Sequence, residues 1–237
     1  MLHLPAPENK RLVWYLAMEE YIGQQIQSFP EGVFFTWVVK PTVIFGRHQV
    51  MEQEVNLDFC KTHNISTYRR KSGGGCVYAD SGNLMLSYVV HSTHSEQVFQ
   101  EYLTKIAKIL SDLGLNAVKT EHNDILVDGK KVSGNACYAL KTGTIVHGTM
   151  LFDVDFQVLQ QAITPTEQKL QKHGVKSVRQ RVINLRPLLQ DFSDIHQLSD
   201  CFCSKICTET RQLTEADIAI IDNIEQEYLN PNFIHNK

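Results

Sequence analysis

One segment of the chain combines residue types that bind anions. It reads Arg69-Arg70-Lys71-Ser72-Gly73-Gly74-Gly75, three basic side chains followed by a serine and three glycines. Glycine has no Cβ atom, so a ligand can come close to the main chain, and successive N–H groups can form a concave anion site. An arginine fork binds carboxylate or phosphate oxygens in pairs. The segment therefore predicts a cradle for an anion, although a solvated glycine-rich turn has the same composition.

Lys130 and Lys131 form a second basic site. They follow Asp128-Gly129, which is a strong signal for a two-residue hairpin. A lysine is a compact positive charge that can stabilise negative charge developing on a phosphate. The alternative interpretation of the pair is a solvated hairpin, so the chemistry depends on whether a lysine faces the glycine segment.

Four segments match, in order and spacing, the motifs of one enzyme family. The glycine segment continues to Asp80-Ser81-Gly82-Asn83, and the later segments are 123–136, 147–151 and 174–185. They resemble RRxSGGGxVxxDxGN, ND…GKKxSGxA, HHGTLL and GxxSVxxRVxNL of the lipoate–protein ligases. The resemblance spans about residues 10–190.

The resemblance implies a two-step reaction with ATP, Mg²⁺ and lipoate. ATP and the lipoate carboxylate give lipoyl-adenylate, and a lysine of an acceptor protein then takes the acyl group. Lys131 is the implied catalytic residue, Lys130 a bystander, and Asp124 the implied ligand of Mg²⁺, which usually takes one or two carboxylates plus substrate phosphates. The implied substrate- and nucleotide-binding residues are Arg47, Arg70, Ser72, Gly73, Gly74, Gly75, Asn83, Asn123, Asp124, Ser133, Gly134, His147 and Gly148.

Two of these positions carry further expectations. Arg47 lies in Gly46-Arg47-His48-Gln49, which is similar to a family turn at the acyl and nucleotide pockets. The family has two histidines where this chain has Val146-His147. That difference favours a pocket-lining role for His147.

The resemblance also implies partners and a domain organisation. The expected acceptors are lipoyl domains of 2-oxoacid dehydrogenase acyltransferase subunits and the H protein of glycine cleavage. We expect residues 1–237 to form a single catalytic domain without the C-terminal accessory domain of many relatives. Whether a separate accessory-domain protein supplies that part is left open by the sequence.

Three other functions remain as alternatives. A cysteine-dependent octanoyl or lipoyl transferase would need an activated thiol, and Cys76 and Cys137 lie near the motifs in sequence. A biotin–protein ligase would share the fold and the adenylate chemistry, but its arginine- and glycine-rich loop is not what stands at 69–75. A non-catalytic lipoate-binding module would keep the pocket and depend on an accessory protein.

The composition narrows the class of protein. The 237 residues are 43% hydrophobic, enough for a sizeable core, and a net charge of −3 lacks the electrostatic footprint of a nucleic-acid binder. The N-terminus has no export-signal pattern, no apolar run reaches 18 residues, and the six cysteines are expected to be reduced. We expect a cytoplasmic protein with neither nucleic acid nor membrane as a partner.

Hydrophobic periodicity predicts both helices and strands, and the resemblance implies that they form an α/β fold in which a mixed β-sheet is flanked by helices, as in the ligase catalytic domain. Helical spacing is seen in 9–26, 54–63, 95–113, 155–162, 166–172, 193–209 and from 214 onward. Strand patterns occupy 33–39, 43–45, 66–70, 84–90, 115–119, 125–127 and 144–154. Thr214-Glu215-Ala216-Asp217 predicts a capping box at the start of the last helix.

Overall fold

The structure is a computed structural model, and it describes residues 1–163 and 181–235. The strands are β1 (Leu2–His3), β2 (Val33–Trp37), β3 (Thr42–Phe45), β4 (Ser66–Arg69), β5 (Val77–Ala79), β6 (Asn83–Val90), β7 (Ala117–Lys119), β8 (Asp124–Val127), β9 (Lys130–Ala139), β10 (Thr144–Leu151) and β11 (Glu209–Thr210). The helices are α1 (Leu12–Gln24), α2 (Met51–Glu54), α3 (Leu57–Thr62), α4 (Ser95–Asp112), α5 (Phe156–Ala162), α6 (Ile195–Ile206), α7 (Glu215–Leu229) and α8 (Pro231–His235).

An eight-stranded mixed sheet forms the centre of the described chain. Its strand order is β11-β1-β2-β6-β10-β9-β8-β7, with β1 parallel to both of its neighbours and the other pairs antiparallel. Side chains alternate between the two faces along each strand. On β6, for example, Leu86 packs in the core beneath α4 and α6, whereas Met85 and Val89 pack in the core beneath α1 and α7. Each face of the sheet is therefore covered by helices.

Local sequence explains where the covering helices begin and end. On α4, the apolar residues Phe99, Leu103, Ile106 and Leu110 recur at helical spacing and are buried. Gly114 has a φ of 86° just beyond this helix, in the left-handed region that commonly ends helices. The capping box predicted for the last helix is confirmed, because the Thr214 side chain accepts from the Asp217 N–H and the Asp217 carboxylate accepts from the Thr214 N–H.

The glycine segment belongs to a separate three-stranded sheet. This sheet has the order β4-β3-β5, with β3 parallel to β4 and antiparallel to β5. Residues 70–76 leave β4 and enter β5 on the opposite side of β3. The glycines therefore cross the end of β3.

Helix α1 is buried along almost its whole length, from Leu12 to Gly23. It lies between the large sheet and α7, so both its apolar and its acidic side chains are enclosed. Glu19 and Glu20 are only 2% and 7% exposed. A buried carboxylate requires polar partners, and those of Glu19 are found beside the cavity described below.

The predicted fold class is confirmed, and most predicted elements are present. The segment predicted as one helix over 54–63 is instead α2 and α3, separated by Val55 and Asn56. The two-residue strands β1 and β11 were not predicted, because periodicity cannot be read over two residues. The helix predicted at 166–172 and most of the 174–185 motif lie outside the described residues. No helix of the described chain is long and apolar enough to cross a membrane.

Candidate functional site

A cavity of about 120 Å³ lies between α1, the glycine segment and the large sheet. Its apolar lining is Leu12, Leu16, Trp37, Ile44, Val77 and Met85. Its polar and glycine lining is Arg70, Gly74, Gly75, Asn123, Lys131, Gly134, Asn135, His147, Gly148 and Thr149. Eight of the predicted site residues thus meet at one cavity, although their segments lie far apart in the sequence.

The register of the strands brings together the residues that line the cavity on the side of the large sheet. Trp37 pairs with Met85 across β2 and β6, and His147 pairs with Ser87 and Ala136 on either side of β10. Paired residues on adjacent strands project from the same face of the sheet. Trp37 and Met85 therefore line an apolar part of the same face that carries His147.

Arg70 holds the glycine segment from behind. It is 5% exposed, and its guanidinium donates to the backbone oxygens of Gly73 and Gly75, each at 2.7 Å, and of Ile44 at 3.3 Å. Burial lowers the pKa of Arg70 to about 10, so the group is still charged at neutral pH. Arg70 lines the cavity, but its donors are directed at main-chain oxygens.

The other two basic residues of the segment are also engaged. Arg69 is 2% exposed and donates to the backbone oxygens of Gly46, Arg47, Gln49 and Ile234. Lys71 lies 2.7 Å from Glu20 and 2.7 Å from Glu227. All three basic side chains of the segment therefore have internal partners, and of the three only Arg70 lines the cavity. Inside the fold, these side chains form hydrogen bonds and ion pairs with backbone oxygens and carboxylates.

Glycines allow the loop to pack closely. A Cβ atom on Gly46 would lie 2.3 Å from the Gly74 oxygen, and Gly74 has a φ of 92°, which side chains disfavour. The carbonyl and N–H of a trans peptide point in opposite directions. Since the Gly73 oxygen faces Arg70, the Gly74 N–H points away from the guanidinium. Among the described residues, none places a heavy atom within 4 Å of the Gly73 Cβ position.

Lys131 and Asp124 face each other at the polar end. Lys131 Nζ lies 2.7 Å from Asp124 Oδ1, and their side chains are 35% and 30% exposed. The close approach depends on Gly134, because a Cβ atom there would lie 2.7 Å from Lys131 Nζ. Neighbouring Lys130 is exposed. The structure therefore separates the two hairpin lysines as the family pattern implied.

Asn135 anchors the 120–124 loop, and sequence reasoning missed it. Its Nδ2 donates to the Asn123 oxygen at 3.0 Å, and Asn123 Nδ2 donates to the Asn135 oxygen at 3.1 Å. The Asn135 side chain occupies the space where a Cβ of Gly148 would stand, 1.9 Å from Oδ1. Asn135 follows the Ser133-Gly134 motif directly, which is the signal that could have identified it.

His147 is held between a buried carboxylate and a buried hydroxyl. Its Nδ1 lies 2.8 Å from Glu19 Oε2, and its Nε2 lies 2.7 Å from Ser72 Oγ. Glu19 was also missed from the sequence. The signal is an acidic residue inside a helix whose neighbours are apolar over Leu12–Met18.

The remaining predicted residues lie beside the cavity without lining it. Asn83 is fully buried and donates to the Tyr78 oxygen at 3.4 Å, while Ser133 is fully buried and bonds to Asn135. The Arg47 side chain is exposed, and its N–H donates to the Ser72 oxygen at 3.0 Å. These three residues therefore shape the elements around the cavity.

A magnesium ion fits one position near the cavity. Within residues 1–163 and 181–235, no three His, Cys, Asp or Glu side chains cluster as a metal site. Mg²⁺ at nucleotides usually takes one or two carboxylates and completes its shell with phosphate oxygens and water. Asp124, partly exposed beside Lys131, suits that role as a single protein ligand.

The two cysteines near the motifs have different environments. Cys76 lines the cavity. Cys137 lies on the α4 side, 3.9 Å from the Ser95 oxygen, where burial and Glu96 raise its pKa to about 11. A thiol with a raised pKa is a poor nucleophile at neutral pH, so Cys76 is the better placed of the two.

Comparisons of sequence identify one family. The profile described as lipoyl protein ligase A/B catalytic domain matches residues 13–207. Lipoate–protein ligase 1 of Staphylococcus aureus is 35% identical over 217 residues, which cover 90% of this chain and 66% of that protein. Lipoate-protein ligase LplJ of Bacillus subtilis is 35% identical over 177 residues, which cover 74% of this chain and 53% of that protein. The chain thus spans between about half and two thirds of the length of these relatives.

Comparisons of structure agree. A chain from the study of a bi-partite lipoate protein ligase and its E2 lipoyl domain from Thermoplasma acidophilum has a TM-score of 0.84 at 26% identity, covering 99% of this chain and 95% of that chain. Lipoate-protein ligase A bound with ATP has a TM-score of 0.80 at 26% identity, covering 98% and 96%. A putative T. acidophilum ligase with bound lipoic acid has a TM-score of 0.82 at 25% identity, covering 100% and 98%.

Proposed function

The chain belongs to the lipoyl protein ligase A/B family, and from this premise we propose that it joins lipoate to a lysine of a lipoyl domain. The reaction uses ATP and passes through lipoyl-adenylate. The observation that carries the proposal is one cavity whose lining combines apolar side chains with Lys131. Such a cavity suits an aliphatic acid whose carboxylate must meet a nucleotide phosphate.

The apolar end supports binding of the lipoyl chain. Leu12 and Leu16 from α1 face Trp37 and Met85 from the sheet, with Ile44 beside them. Apolar surface removed from water contributes about 25 cal/mol per Å². These side chains bind and orient the acyl chain, and they exclude water, which would hydrolyse the mixed anhydride.

The polar end supports activation of the carboxylate. Lys131 is the cation that can stabilise the negative charge that develops on the phosphate oxygens as the α-phosphorus is transferred from pyrophosphate to the lipoate oxygen. The Gly74 N–H, turned away from Arg70, is suited to a phosphate oxygen. Mg²⁺ on Asp124 would neutralise phosphate charge when bound.

A relative of known structure supports a lipoyl domain as the acceptor. The bi-partite ligase from T. acidophilum was studied with its E2 lipoyl domain. We extend that partner to this chain, together with the H protein of glycine cleavage as a second acceptor. The same relative supports a separate accessory-domain protein as a further partner.

Acceptor mass tests the proposal directly. The protein is incubated with ATP, Mg²⁺, lipoate and an apo lipoyl domain, with and without an added accessory-domain protein. We expect the acceptor to gain one lipoyl group only when ATP is present, and an acceptor whose target lysine is replaced by arginine to gain none. An acceptor that stays unmodified under all conditions, including with preformed lipoyl-adenylate, would contradict the proposal.

Cys76 keeps a cysteine transferase as the second candidate, because this thiol lines the cavity. Such an enzyme would move an octanoyl or lipoyl group from a carrier-protein thioester without ATP, forming and breaking a thioester on Cys76. We expect Cys76→Ser to retain ATP-dependent lipoylation. Loss of transfer in Cys76→Ser, combined with ATP-independent acylation by the wild type, would establish the transferase instead.

A further inference from the structure

A chain of four hydrogen bonds runs behind the cavity. Trp37 Nε1 donates to Ser87 Oγ at 2.8 Å, and Ser87 Oγ donates to Glu19 Oε1 at 2.5 Å. Glu19 Oε2 lies 2.8 Å from His147 Nδ1, and His147 Nε2 lies 2.7 Å from Ser72 Oγ. Trp37, the first member of the chain, and His147 both line the cavity, whereas Ser72, its last member, is only 3% exposed.

The first two hydrogen bonds take their direction from Trp37, and the last two take theirs from Glu19 as a carboxylate. An indole N–H can only donate, so Ser87 Oγ accepts from Trp37 and uses its own proton on Glu19. An ionised carboxylate only accepts, so His147 Nδ1 carries the proton that faces Glu19. His147 Nε2 is then the unprotonated nitrogen, and it accepts from the Ser72 hydroxyl.

We propose that His147, held in its Nδ1–H tautomer by Glu19, is the general base of the acyl-transfer step. This inference rests on the proposed ligase function. As the acceptor lysine amine attacks the acyl carbon, the C–N bond forms and the bond from carbon to the AMP oxygen breaks. The nitrogen gives its proton to His147 Nε2, which in the free protein accepts the hydrogen bond of the Ser72 hydroxyl. AMP leaves as the anion.

The surroundings of His147 suit this role. Glu19 is 2% exposed, and its negative charge stabilises the imidazolium that forms. Among the other groups that line the cavity, Arg70 has a pKa of about 10 and is a cation at neutral pH, and Lys131 Nζ lies against Asp124. Behind the sheet, Tyr102 of α4 has its pKa raised by burial and by Glu19, so it remains a neutral phenol. Glu19 is a positioning residue, because it acts through His147.

Single-turnover transfer isolates the step. Preformed lipoyl-adenylate and apo lipoyl domain are mixed with the protein across a pH series. We expect the wild-type rate to fall from neutral to acidic pH, because a general base must be unprotonated to accept a proton. His147→Ala should lose about 100-fold at pH 7, depend less on pH and recover partly with added imidazole. Glu19→Gln should lose about 10-fold and change the pH dependence.

His196→Ala is the matched control, because His196 is exposed at the start of α6, away from the cavity. It should retain the wild-type rate and pH profile, and thermal unfolding should show that all variants are folded. A His147→Ala protein that transfers at the wild-type rate with an unchanged pH profile would overturn the inference. Absence of transfer by the wild type would instead contradict the proposed ligase function.

The tautomer can be measured without any activity. Nitrogen-15 chemical shifts of His147 should show a protonated Nδ1 and an unprotonated Nε2 in the wild type, and a changed ratio in Glu19→Gln. A wild-type spectrum with the proton on Nε2 would overturn the inference even if lipoylation is confirmed. The two experiments therefore separate failure of the base from failure of the ligase assignment.

Discussion

Two basic clusters of similar composition behave in opposite ways. Arg69, Arg70 and Lys71 turn inward, where they hold backbone oxygens and two glutamates. Lys131, from the hairpin, lines the cavity and pairs, within the described part of the chain, with the carboxylate of Asp124. The difference shows that positive charge in a motif becomes available to a ligand only when the fold leaves it without a full set of internal partners. We therefore assign stability to the first cluster and chemistry to the second.

Alanine substitution of each hairpin lysine is the strongest test of this difference between the two basic clusters. Lys131→Ala should reduce adenylate formation by about 10²–10³-fold, because it removes the one hairpin cation that lines the cavity. Lys130→Ala is the matched control and should stay near wild type, since Lys130 is exposed on the adjacent position. Lipoate-dependent pyrophosphate release measures both. Equal losses in the two variants would remove the special role of Lys131.

Arg70→Met should have the next largest effect, on stability. Three carbonyl oxygens lose their donor, and we expect the free energy of unfolding to fall by about 3 kcal/mol. Arg186→Met is the comparison, because Arg186 makes an exposed ion pair with Asp153 and should cost less than about 1 kcal/mol. Urea denaturation of both variants gives the values. An Arg70→Met protein as stable as wild type would show that the loop does not need its brace.

Alanine substitutions at two neighbouring glycines distinguish the effect of backbone strain on stability from the effect of a side chain on ligand binding. Gly74→Ala should cost about 1–2 kcal/mol, since alanine disfavours a φ of 92° and its Cβ would lie 2.9 Å from Arg70 Nη2. Gly73→Ala adds a methyl group that has no heavy atom of the described residues within 4 Å, so it should leave the free energy of unfolding nearly unchanged. Denaturation measures stability, and ATP titration measures binding. Weakened ATP binding in Gly73→Ala would place the ligand against that methyl position.

The smallest effect concerns Lys71 at alkaline pH. Burial lowers the pKa of Lys71, but hydrogen bonds and charge from Glu20 and Glu227 raise it more, so the net pKa lies above 10.5. A raised folded-state pKa means that the contribution to stability is complete below pH 10.5 and is lost as pH rises through the folded value. Lys71→Met should show a smaller decline than wild type over this range. Because tyrosines titrate there too, the difference between the two unfolding curves is the measurement, and parallel curves would contradict it.

Local sequence predicted the parts of the site that depend on local pattern. Gly74 lies in a segment whose residue types alone suggest an anion site, whereas Lys131 and His147 were implied by the family resemblance of their motifs, and all three line the cavity. The partners of Lys71 could not be predicted in this way, because Glu20 lies 51 positions away on α1. The same holds for Glu19, which lies 128 positions from His147.

Secondary structure shows the same limit. Long periodic elements such as α4 and β10 were predicted within a few residues, since each presents a regular apolar face. The division of 54–63 into two helices was not, because Val55 makes a bridge to Ile163 that periodicity does not contain. Tertiary contacts therefore decided what the local pattern left undetermined.

The parallel pairing of β1 has a consequence for the order of folding. Leu2 and His3 lie between β2 and β11, so their second neighbour is made of Glu209 and Thr210, near the far end of the chain. On a ribosome, this margin of the sheet stays unfinished until more than two hundred residues have been synthesised, and non-local pairing of that kind forms slowly. We therefore expect the amides of β1 and β11 to gain protection from hydrogen exchange after those of β6 and β10.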